Sequence, residues 1–188
     1  MKRTFDIVLA LLLFPLAFVF CLFLAPMIAL DTRASPIFAQ QRIGRDRRSF
    51  TLLKLRTMPK EAPNVASHRL NGNLVTPFGA FIRKFKLDEL PQIWNVLVGQ
   101  MSFVGPRPCL GSQLELIAER SHRGVFDIRP GITGLSQVAG VDMSEPKRLA
   151  ELDHEYVTRH SVRLDIGLII QTVLGEGRGD AASTDRRN

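Results

Sequence analysis

The longest hydrophobic run in the chain lies near its start. Residues 7–30 carry no formal charge, and most of them are Leu, Val, Ile, Phe or Ala. As a helix rising about 1.5 Å per residue, this run is long enough to cross a hydrocarbon core of about 30 Å. A cleaved signal peptide is the alternative, but its apolar region usually spans about 7–15 residues and precedes a small-x-small cleavage site, which is missing here. The pattern therefore predicts a membrane helix within residues 1–33.

Basic residues on both sides of this run predict how it sits in the bilayer. Lys2 and Arg3 precede it, and arginines follow at positions 33, 42, 45, 47 and 48. Because Lys and Arg favour the cytoplasmic side, both ends of the run are drawn to the same face of the membrane. Pro15 and Pro26 lie inside the run, and each can kink a helix. The sequence thus predicts a re-entrant helix that is bent at a proline, with an ordinary spanning helix as the alternative.

The first strong helical pattern after this segment begins at Thr76. Thr76 and Pro77 are a favourable N-cap and first-turn pair. Four apolar residues then follow at the spacing of one helix face: Phe78, Phe81, Ile82 and Phe85. Arg83, Lys84 and Lys86 flank this stripe, a pattern typical of a helix that lies in the membrane interface. Packing into an ordinary core is an equally good interpretation of the stripe.

A second helix is predicted to start near Asp88. Its apolar positions are Leu90, Ile93, Trp94 and Leu97, and Gly99 is a suitable stop. Further helical patterns cover residues 114–120, 147–159 and 164–174, and short strands surround a basic turn at 44–48. The predicted fold is α+β and helix-dominated, with interfacial amphipathic helices and a small β element. A folded domain at 34–175 would follow the membrane segment, and 176–188 would form a disordered tail.

Charge and cysteine content narrow the function classes. The formal net charge is +7, and the basic excess around residues 42–60 suits an anionic lipid surface, a phosphorylated substrate or nucleic acid. Charge alone does not choose among these three. The only cysteines, Cys21 and Cys109, give neither a disulfide framework nor a CxxC metal motif. A reducing environment facing the cytoplasm fits this composition best.

An acidic pair, Asp88 and Glu89, interrupts the basic stretch "KFKLDELPQ" at 84–92. Helix capping is the simplest interpretation, because acidic residues in a first turn complement the helix dipole. Catalysis is the alternative, since adjacent side chains on a helix point about 100° apart and can take different partners. One carboxylate could then act as a nucleophile on phosphorus while the other binds a divalent metal. Taken in isolation, the pair favours capping.

Arg107 lies between two prolines in "GPRP". The prolines restrict the local backbone and so limit where the guanidinium points. A planar guanidinium held in place is a good ligand for phosphate. An ordinary surface turn is the alternative, and the motif is weak evidence by itself.

Together these segments resemble the bacterial sugar transferase family, the monotopic phosphoglycosyl transferases. The resemblance covers nearly the whole chain and keeps the order of the motifs. They are "KRTFD", "QQRIG" with "LKLRTM", "TPFGAFIRKFKLDELPQIWNVL", "MSFVGPRP", "RPGITGLSQVAG" and "LDHEYVTRHSVRLDIGLIIQT". So many motifs in one order are specific enough to favour catalysis over capping for the acidic pair.

The resemblance implies an enzyme that transfers a sugar 1-phosphate from a UDP-sugar to polyprenyl (undecaprenyl) phosphate and releases UMP. It implies an aspartyl phosphosugar intermediate on Asp88 and a Mg²⁺ cofactor held by Glu89. Residues on motif positions expected to bind substrate are Lys54, Arg56, Arg83, Arg107, Arg129, Gln137 and Asp165. The implied location is the cytoplasmic face of the bacterial inner membrane, at the first membrane step of polysaccharide or glycoprotein assembly. Downstream glycosyltransferases are further candidate partners, nucleic acid is not, and the sugar and the oligomeric state stay open.

The chain departs from the family pattern at three places. The usual helix-breaking proline is replaced by Val19, so the bend is expected at Pro15 instead, with Pro26 as the other candidate. Arg47 stands in the basic turn where glycine is common. The sequence "AGVDM" replaces an "NGRN"-like stretch, a change that bears on the choice of nucleotide or sugar.

Two other classes of protein remain as hypotheses. A membrane-anchored protein that binds anionic lipid headgroups or nucleic acid would tolerate Asp88→Asn, because a neutral cap would serve. An inactive scaffold in a glycan assembly complex would bind ligand without magnesium and release no UMP. Neither class explains why the acidic and basic motifs occur together in this order.

Overall fold

The computed structural model describes residues 1–62 and 74–175, and the predicted tail at 176–188 lies outside them. This part of the chain is α+β and helix-dominated, which confirms the predicted fold class. The helices are α1 (Lys2–Thr32), α2 (Pro77–Lys84), α3 (Gln92–Leu97), α4 (Leu114–His122), α5 (Leu135–Val138), α6 (Pro146–Arg159) and α7 (Val162–Val173). The strands are β1 (Ile37–Ile43), β2 (Ser49–Leu55), β3 (Ser102–Val104) and β4 (Gly131–Thr133).

Helix α1 lies against the rest of the protein along its length. Ala10, Ala17 and Ile28 are buried on the inner side, while the large apolar side chains of the outer side are exposed. Near one end, Arg3 Nη1 donates to the carbonyl of Val96 in α3 at 2.7 Å. Near the other end, Asp31 accepts a hydrogen bond from Thr76. In the described part of the chain, α1 alone is long and apolar enough to cross a membrane, which fits association with a bilayer.

Helix α1 continues through both of its prolines. Pro15 and Pro26 both lie inside the element Lys2–Thr32. Each proline lacks the N–H that would bond to the carbonyl four residues earlier, so both positions weaken the helix locally. The site of the predicted bend therefore stays a prediction, with Pro15 and Pro26 as its two candidates.

Strands β1 and β2 form an antiparallel hairpin that projects Lys54 toward the acidic pair. Phe38 pairs with Lys54, and Ile43 pairs with Ser49 next to the turn. The turn at the tip bends through Asp46 and Arg47, which both have φ of 56°. This left-handed conformation costs a residue with a Cβ more than it costs glycine, which explains why glycine would be the easier residue at position 47.

Strands β3 and β4 are parallel neighbours, and the backbone next to them is packed very closely. Ser102 pairs with Gly131, and Val104 pairs with Thr133. A Cβ added to Gly131 would lie 2.1 Å from the amide nitrogen of Gly105, and one added to Gly134 would lie 2.3 Å from its carbonyl oxygen. Only glycine fits at such distances. The two motifs "VGPRP" and "RPGITG" are thereby held in direct backbone contact.

The predicted N-cap of α2 and the predicted stop after α3 are confirmed. Thr76 Oγ1 accepts a hydrogen bond from the amide of Gly79 at 2.9 Å, with Pro77 at the first helical position. Gly99 has φ of 86° and follows α3. In α2, Ile82 is completely buried, whereas Phe81 and Phe85, the residue that follows the helix, are about half exposed. The aromatic stripe is therefore divided between the core and the surface.

The prediction that a helix starts near Asp88 is wrong. Leu87–Glu89 is a 3₁₀ turn, entered through Lys86 with φ of 55°, and α3 begins only at Gln92. The amides of Leu90, Ile93 and Trp94 each donate to the carbonyl three residues earlier, at 3.1–3.2 Å, instead of to the carbonyl four residues earlier that an α-helix would use. Asp88 is consequently not an N-cap, so capping does not explain its presence.

Candidate active site

The acidic pair, Lys54 and Arg107 come together from three separate parts of the chain. Asp88 and Glu89 lie in the 3₁₀ turn between α2 and α3. Lys54 extends from β2, and Arg107 extends from the turn that follows β3. All four side chains are largely buried, with exposed fractions between 12% and 18%. They form one compact site of two carboxylates and two cations, which we call the acidic-pair site.

Asp88 has a cation nearby but no hydrogen bond to a described residue. Its Oδ2 atom lies 3.8 Å from Lys54 Nζ. Its carboxylate accepts no hydrogen bond from any residue within 1–62 and 74–175. The residue is 8% exposed, so the carboxylate is mostly removed from water. Its lone pairs are therefore available to an incoming ligand.

Glu89 is bonded more tightly than its neighbour. Its Oε1 atom accepts from Lys54 Nζ at 3.2 Å and from Arg107 Nη1 at 3.3 Å. Two cations thus converge on one carboxylate oxygen. Glu89 joins the hairpin to the turn after β3 and sets the separation of the two positive groups.

The surroundings of Asp88 favour its neutral form more than water does. Burial raises the pKa of Asp88, and the nearby charge of Glu89 raises it further. Lys54, Arg83 and Arg107 oppose this rise because they favour the carboxylate. A buried carboxylate with a raised pKa, in a cluster of opposite charges, is typical of a functional site.

Two further cations border the acidic-pair site. Arg83 Nε donates to Thr57 Oγ1 at 2.9 Å, which holds the guanidinium near Asp88. Lys86 has a pKa lowered by burial, although the charges of Glu89 and Asp88 partly compensate for this effect. Four cations therefore surround two carboxylates, and the excess positive charge suits an anionic ligand such as a phosphate group.

Two arginines predicted to bind substrate have their described contacts elsewhere. Arg56 Nε donates to the carbonyl of Ser35 at 2.8 Å, and its guanidinium lies over the ring of Phe38. Arg129 Nε donates to the carbonyl of Gly99 at 2.7 Å. Neither contact involves the acidic pair. Direct substrate binding by Arg56 and Arg129 stays a prediction that these contacts do not support.

Asp165 and Gln137 are likewise held by protein groups. Asp165 is fully buried, where it pairs with Lys2 Nζ at 2.6 Å and accepts from the Tyr156 hydroxyl at 2.6 Å. Gln137 Nε2 donates to the carbonyl of Ile132 at 2.9 Å. The buried Gln137 Oε1 atom has no hydrogen-bond partner in the described ranges. A substrate role for either residue stays a prediction.

Three residues near the site were not predicted to be part of it. Lys86 borders the acidic pair, and its closeness in sequence to Asp88 is a signal that could have identified it. Arg42 and Arg120 donate to carbonyls of the turn that carries Arg107. Because both arginines are far from that turn in the sequence, no local pattern indicates these contacts.

Comparisons with known proteins show which family this chain resembles. The profile of the family named "Bacterial sugar transferase" matches residues 1–176. The chain is 37% identical to the UDP-galactose-lipid carrier transferase of Erwinia amylovora, over 92% of the chain and 39% of that protein. It is 37% identical to the uncharacterized sugar transferase EpsL of Bacillus subtilis, over 92% and 85% of the two chains. It is 35% identical to the UDP-glucose:undecaprenyl-phosphate glucose-1-phosphate transferase of Caulobacter vibrioides, over 92% and 68%.

These matches settle the class of the protein. The chain belongs to the bacterial sugar transferase family, as the motifs indicated, and it is a transferase by membership of that family. It spans about two fifths of the Erwinia protein and most of the Bacillus protein. The shared region contains the acidic pair, Lys54 and the turn that carries Arg107.

Proposed function

We propose that the protein transfers a sugar 1-phosphate from a UDP-sugar to polyprenyl phosphate and releases UMP. The observation that carries this proposal is Asp88, a buried carboxylate without a hydrogen bond from the described residues, next to Glu89 and among cations. Relatives named for lipid-carrier and undecaprenyl-phosphate transfer support the choice of substrates. The reaction would be the first membrane step in building a polysaccharide or glycoprotein glycan.

The reaction proceeds in two displacements at one phosphorus atom. A carboxylate oxygen of Asp88 attacks the β-phosphorus of the UDP-sugar, and the bond from that phosphorus to the bridging oxygen breaks. UMP leaves with the electron pair, and the sugar phosphate stays on Asp88 as an acyl phosphate. An oxygen of the polyprenyl phosphate then attacks the same phosphorus and releases the Asp88 carboxylate. The product is a polyprenyl diphosphate sugar.

The cations of the acidic-pair site act on the phosphate charge. An anionic nucleophile approaching a diphosphate needs compensating positive charge, both to bind substrate and to stabilise the transition state. Lys54 and Arg107 are held beside the acidic pair by Glu89, and Arg83 is held by Thr57. Glu89 and Thr57 thus position three cations around the carboxylate that attacks the phosphate.

The donor groups of the acidic-pair site fit a magnesium ion that also contacts substrate. No group of three or more His, Cys, Asp or Glu side chains occurs within residues 1–62 and 74–175, so a cage built only of protein ligands is not available there. Mg²⁺ is commonly held by one or two carboxylates together with substrate phosphates and water. Glu89, with Asp88 beside it, would hold such an ion, which would neutralise phosphate charge.

The contacts of α1 support a re-entrant arrangement in the membrane. A helix of 31 residues is about 46 Å long, enough to carry one end across a bilayer. Yet Arg3 and Asp31, near opposite ends, both contact the same folded domain. We place both ends on the cytoplasmic face of the inner membrane. An N-terminal epitope tag should then resist protease added outside spheroplasts, and digestion of the tag would contradict this topology.

The activity is tested by UMP release from full-length protein held in nanodiscs with magnesium. A panel of UDP-sugars is supplied with and without undecaprenyl phosphate. The proposal predicts sustained release that depends on the lipid and on one or a few donors. Folded protein that releases no UMP with any donor would contradict it. The Asp88→Asn variant is the control for contaminating hydrolases.

A further inference from the structure

The three carbonyl groups of the Pro106–Arg107–Pro108 turn each accept a hydrogen bond from a different part of the chain. The amide of Gly131 donates to Pro106 O at 3.0 Å. Arg120 Nη1 donates to Arg107 O at 2.8 Å. Arg42 Nη1 donates to Pro108 O at 3.1 Å. The backbone of the turn is thus fixed at three consecutive residues.

The prolines alone do not fix this backbone. A proline ring restricts φ to about −65° but leaves ψ free. The direction of a carbonyl group depends on ψ, because the peptide plane turns with it. Hydrogen bonds to the carbonyls therefore restrict the angles that the prolines leave open. The orientation of Arg107 depends on both kinds of restraint.

The two arginines that supply these bonds are themselves buried and held in place. Arg120 is 1% exposed and donates through Nε and Nη2 to Asp153 Oδ2, at 2.9 and 2.6 Å. Arg42 is 6% exposed and donates through Nε and Nη2 to Gln40 Oε1, at 2.9 and 2.6 Å. In each guanidinium, Nε and Nη2 bond to a neighbouring side chain, and Nη1 bonds to a carbonyl of the turn.

Burying two guanidinium groups beneath a turn is costly, which argues that they do more than fill space. Desolvation of a buried charge costs several kcal/mol, and apolar side chains of similar volume often give equal or better stability. A hydrophobic side chain could not bond the carbonyls of Arg107 and Pro108. The feature that these two arginines add is therefore control of the turn.

We propose that Arg42 and Arg120 are positioning residues that hold the Arg107 guanidinium in place beside Glu89. Arg107 Nη1 lies 3.3 Å from Glu89 Oε1, and the turn behind it determines that separation. The inference rests on the proposed function, in which Arg107 receives a substrate phosphate. Arg42 and Arg120 act through Arg107, so their effect on turnover disappears when Arg107 is removed.

A double-mutant cycle tests this dependence in full-length protein held in nanodiscs. Arg42→Met removes the donor to Pro108 O and should lower kcat/KM for UMP release by about 10- to 100-fold, as misplacement of a catalytic group does. In an Arg107→Gln background, Arg42→Met should change kcat/KM by less than about twofold. Arg42→Lys keeps the charge and one donor, so it should recover part of the loss. Equal losses in both backgrounds would overturn the proposal.

Hydrogen exchange supplies a readout that does not need activity. Arg42→Met should speed amide exchange in the peptide covering residues 105–110 and leave exchange in α6 and α7 at the wild-type rate. Arg148→Met, at an exposed arginine of α6, is the matched control and should alter neither activity nor exchange. Unchanged exchange at 105–110 would overturn the proposal even if activity fell.

The outcomes also separate this inference from the proposed function. If wild-type protein releases no UMP, the proposed function fails, and exchange together with calorimetric binding of UDP still tests the positioning role. If Arg42→Met does not fold, Arg42→Lys is compared with wild type in the same two measurements. An Arg42→Lys protein with wild-type exchange at 105–110 and a loss of UDP binding would contradict positioning through the turn.

Discussion

Two buried aspartates in this protein stand beside a lysine, and the two pairs differ in how closely they are bonded. Asp165 is fully buried, and its two oxygens accept from Tyr156 and from Lys2, each at 2.6 Å. Asp88 is 8% exposed, its lysine lies 3.8 Å away, and it accepts no hydrogen bond from the described residues. The same residue types therefore form a closed pair at one place and an open pair at the other.

This difference distinguishes a structural carboxylate from a reactive one. Both oxygens of Asp165 are engaged, and the pair joins the start of α1 to α7. Burial and the hydrogen bond to Asp165 raise the pKa of Tyr156, which keeps its hydroxyl a donor at neutral pH. The lone pairs of Asp88 are not engaged in this way. Burying a carboxylate without a full set of hydrogen bonds destabilises the folded state. Functional sites commonly contain residues that are destabilising in this way.

Exchange of Asp88 for asparagine should have the largest effect on activity. The asparagine side chain would keep the shape of the aspartate but would not attack phosphorus, so we expect UMP release to fall at least about 1,000-fold. Circular dichroism and membrane association should match wild type. Turnover near the wild-type rate would remove Asp88 from the mechanism.

Loss of the closed pair should affect stability instead. Asp165→Asn leaves Lys2 without its counter-ion, and we expect the free energy of unfolding to fall by about 3 kcal/mol. Turnover per folded molecule should stay within about threefold of wild type. Chemical denaturation and active-site titration measure the two quantities. A protein with wild-type stability and lost turnover would instead support the predicted substrate role of Asp165.

Removing the lysine of the open pair should shift the pH dependence of turnover. Asp88 must be ionised to attack, and Lys54 is the strongest of the nearby charges that lower its raised pKa. Lys54→Met should therefore move the acid limb of the kcat/KM profile to higher pH and lower the plateau by about 10- to 100-fold. Lys147→Met, at an exposed lysine, is the control. An acid limb at the wild-type position would contradict the electrostatic account.

The smallest effect expected is a gain in stability from Asp88→Asn. The raised pKa of Asp88 means that its stabilising contribution is present at low pH and lost as pH rises through the folded-state pKa. Asparagine does not ionise, so the variant should melt roughly 2–4 °C above wild type at pH 7. The difference should shrink as pH falls and disappear well below the unfolded-state pKa of about 3.9, where Asp88 is protonated in both states. A lower melting temperature at pH 7 would show that the Asp88 charge stabilises the fold.

Local sequence signals predicted the elements that depend on nearby residues. The cap at Thr76 and the stop at Gly99 follow from turn chemistry within a few residues. The family resemblance implied that Lys54 and Arg107 bind substrate, which stays a prediction, and both side chains lie beside the acidic pair. The 3₁₀ turn at Leu87–Glu89 was missed because the apolar spacing looks helical across it, whereas the amides of Leu90 and Ile93 bond to the carbonyls three residues earlier.

Long-range contacts could not be predicted from the chain alone. Lys2 and Asp165 are 163 positions apart, and no periodicity links them. Arg42 and Arg120 look like surface arginines in the sequence, yet both are buried beneath the turn that carries Arg107. Such contacts depend on tertiary packing. An amphipathic pattern shows which face of a helix or strand is buried, but not which residues that face contacts.

The central claim is that the open carboxylate of Asp88 becomes covalently linked to the sugar phosphate. It is tested most directly by intact mass spectrometry of full-length protein given its UDP-sugar donor without lipid acceptor. The account predicts a mass increase equal to one sugar phosphate, located on Asp88 by peptide mapping and removed by adding undecaprenyl phosphate. Sustained UMP release without any adduct, or an adduct that persists in the Asp88→Asn variant, would contradict it.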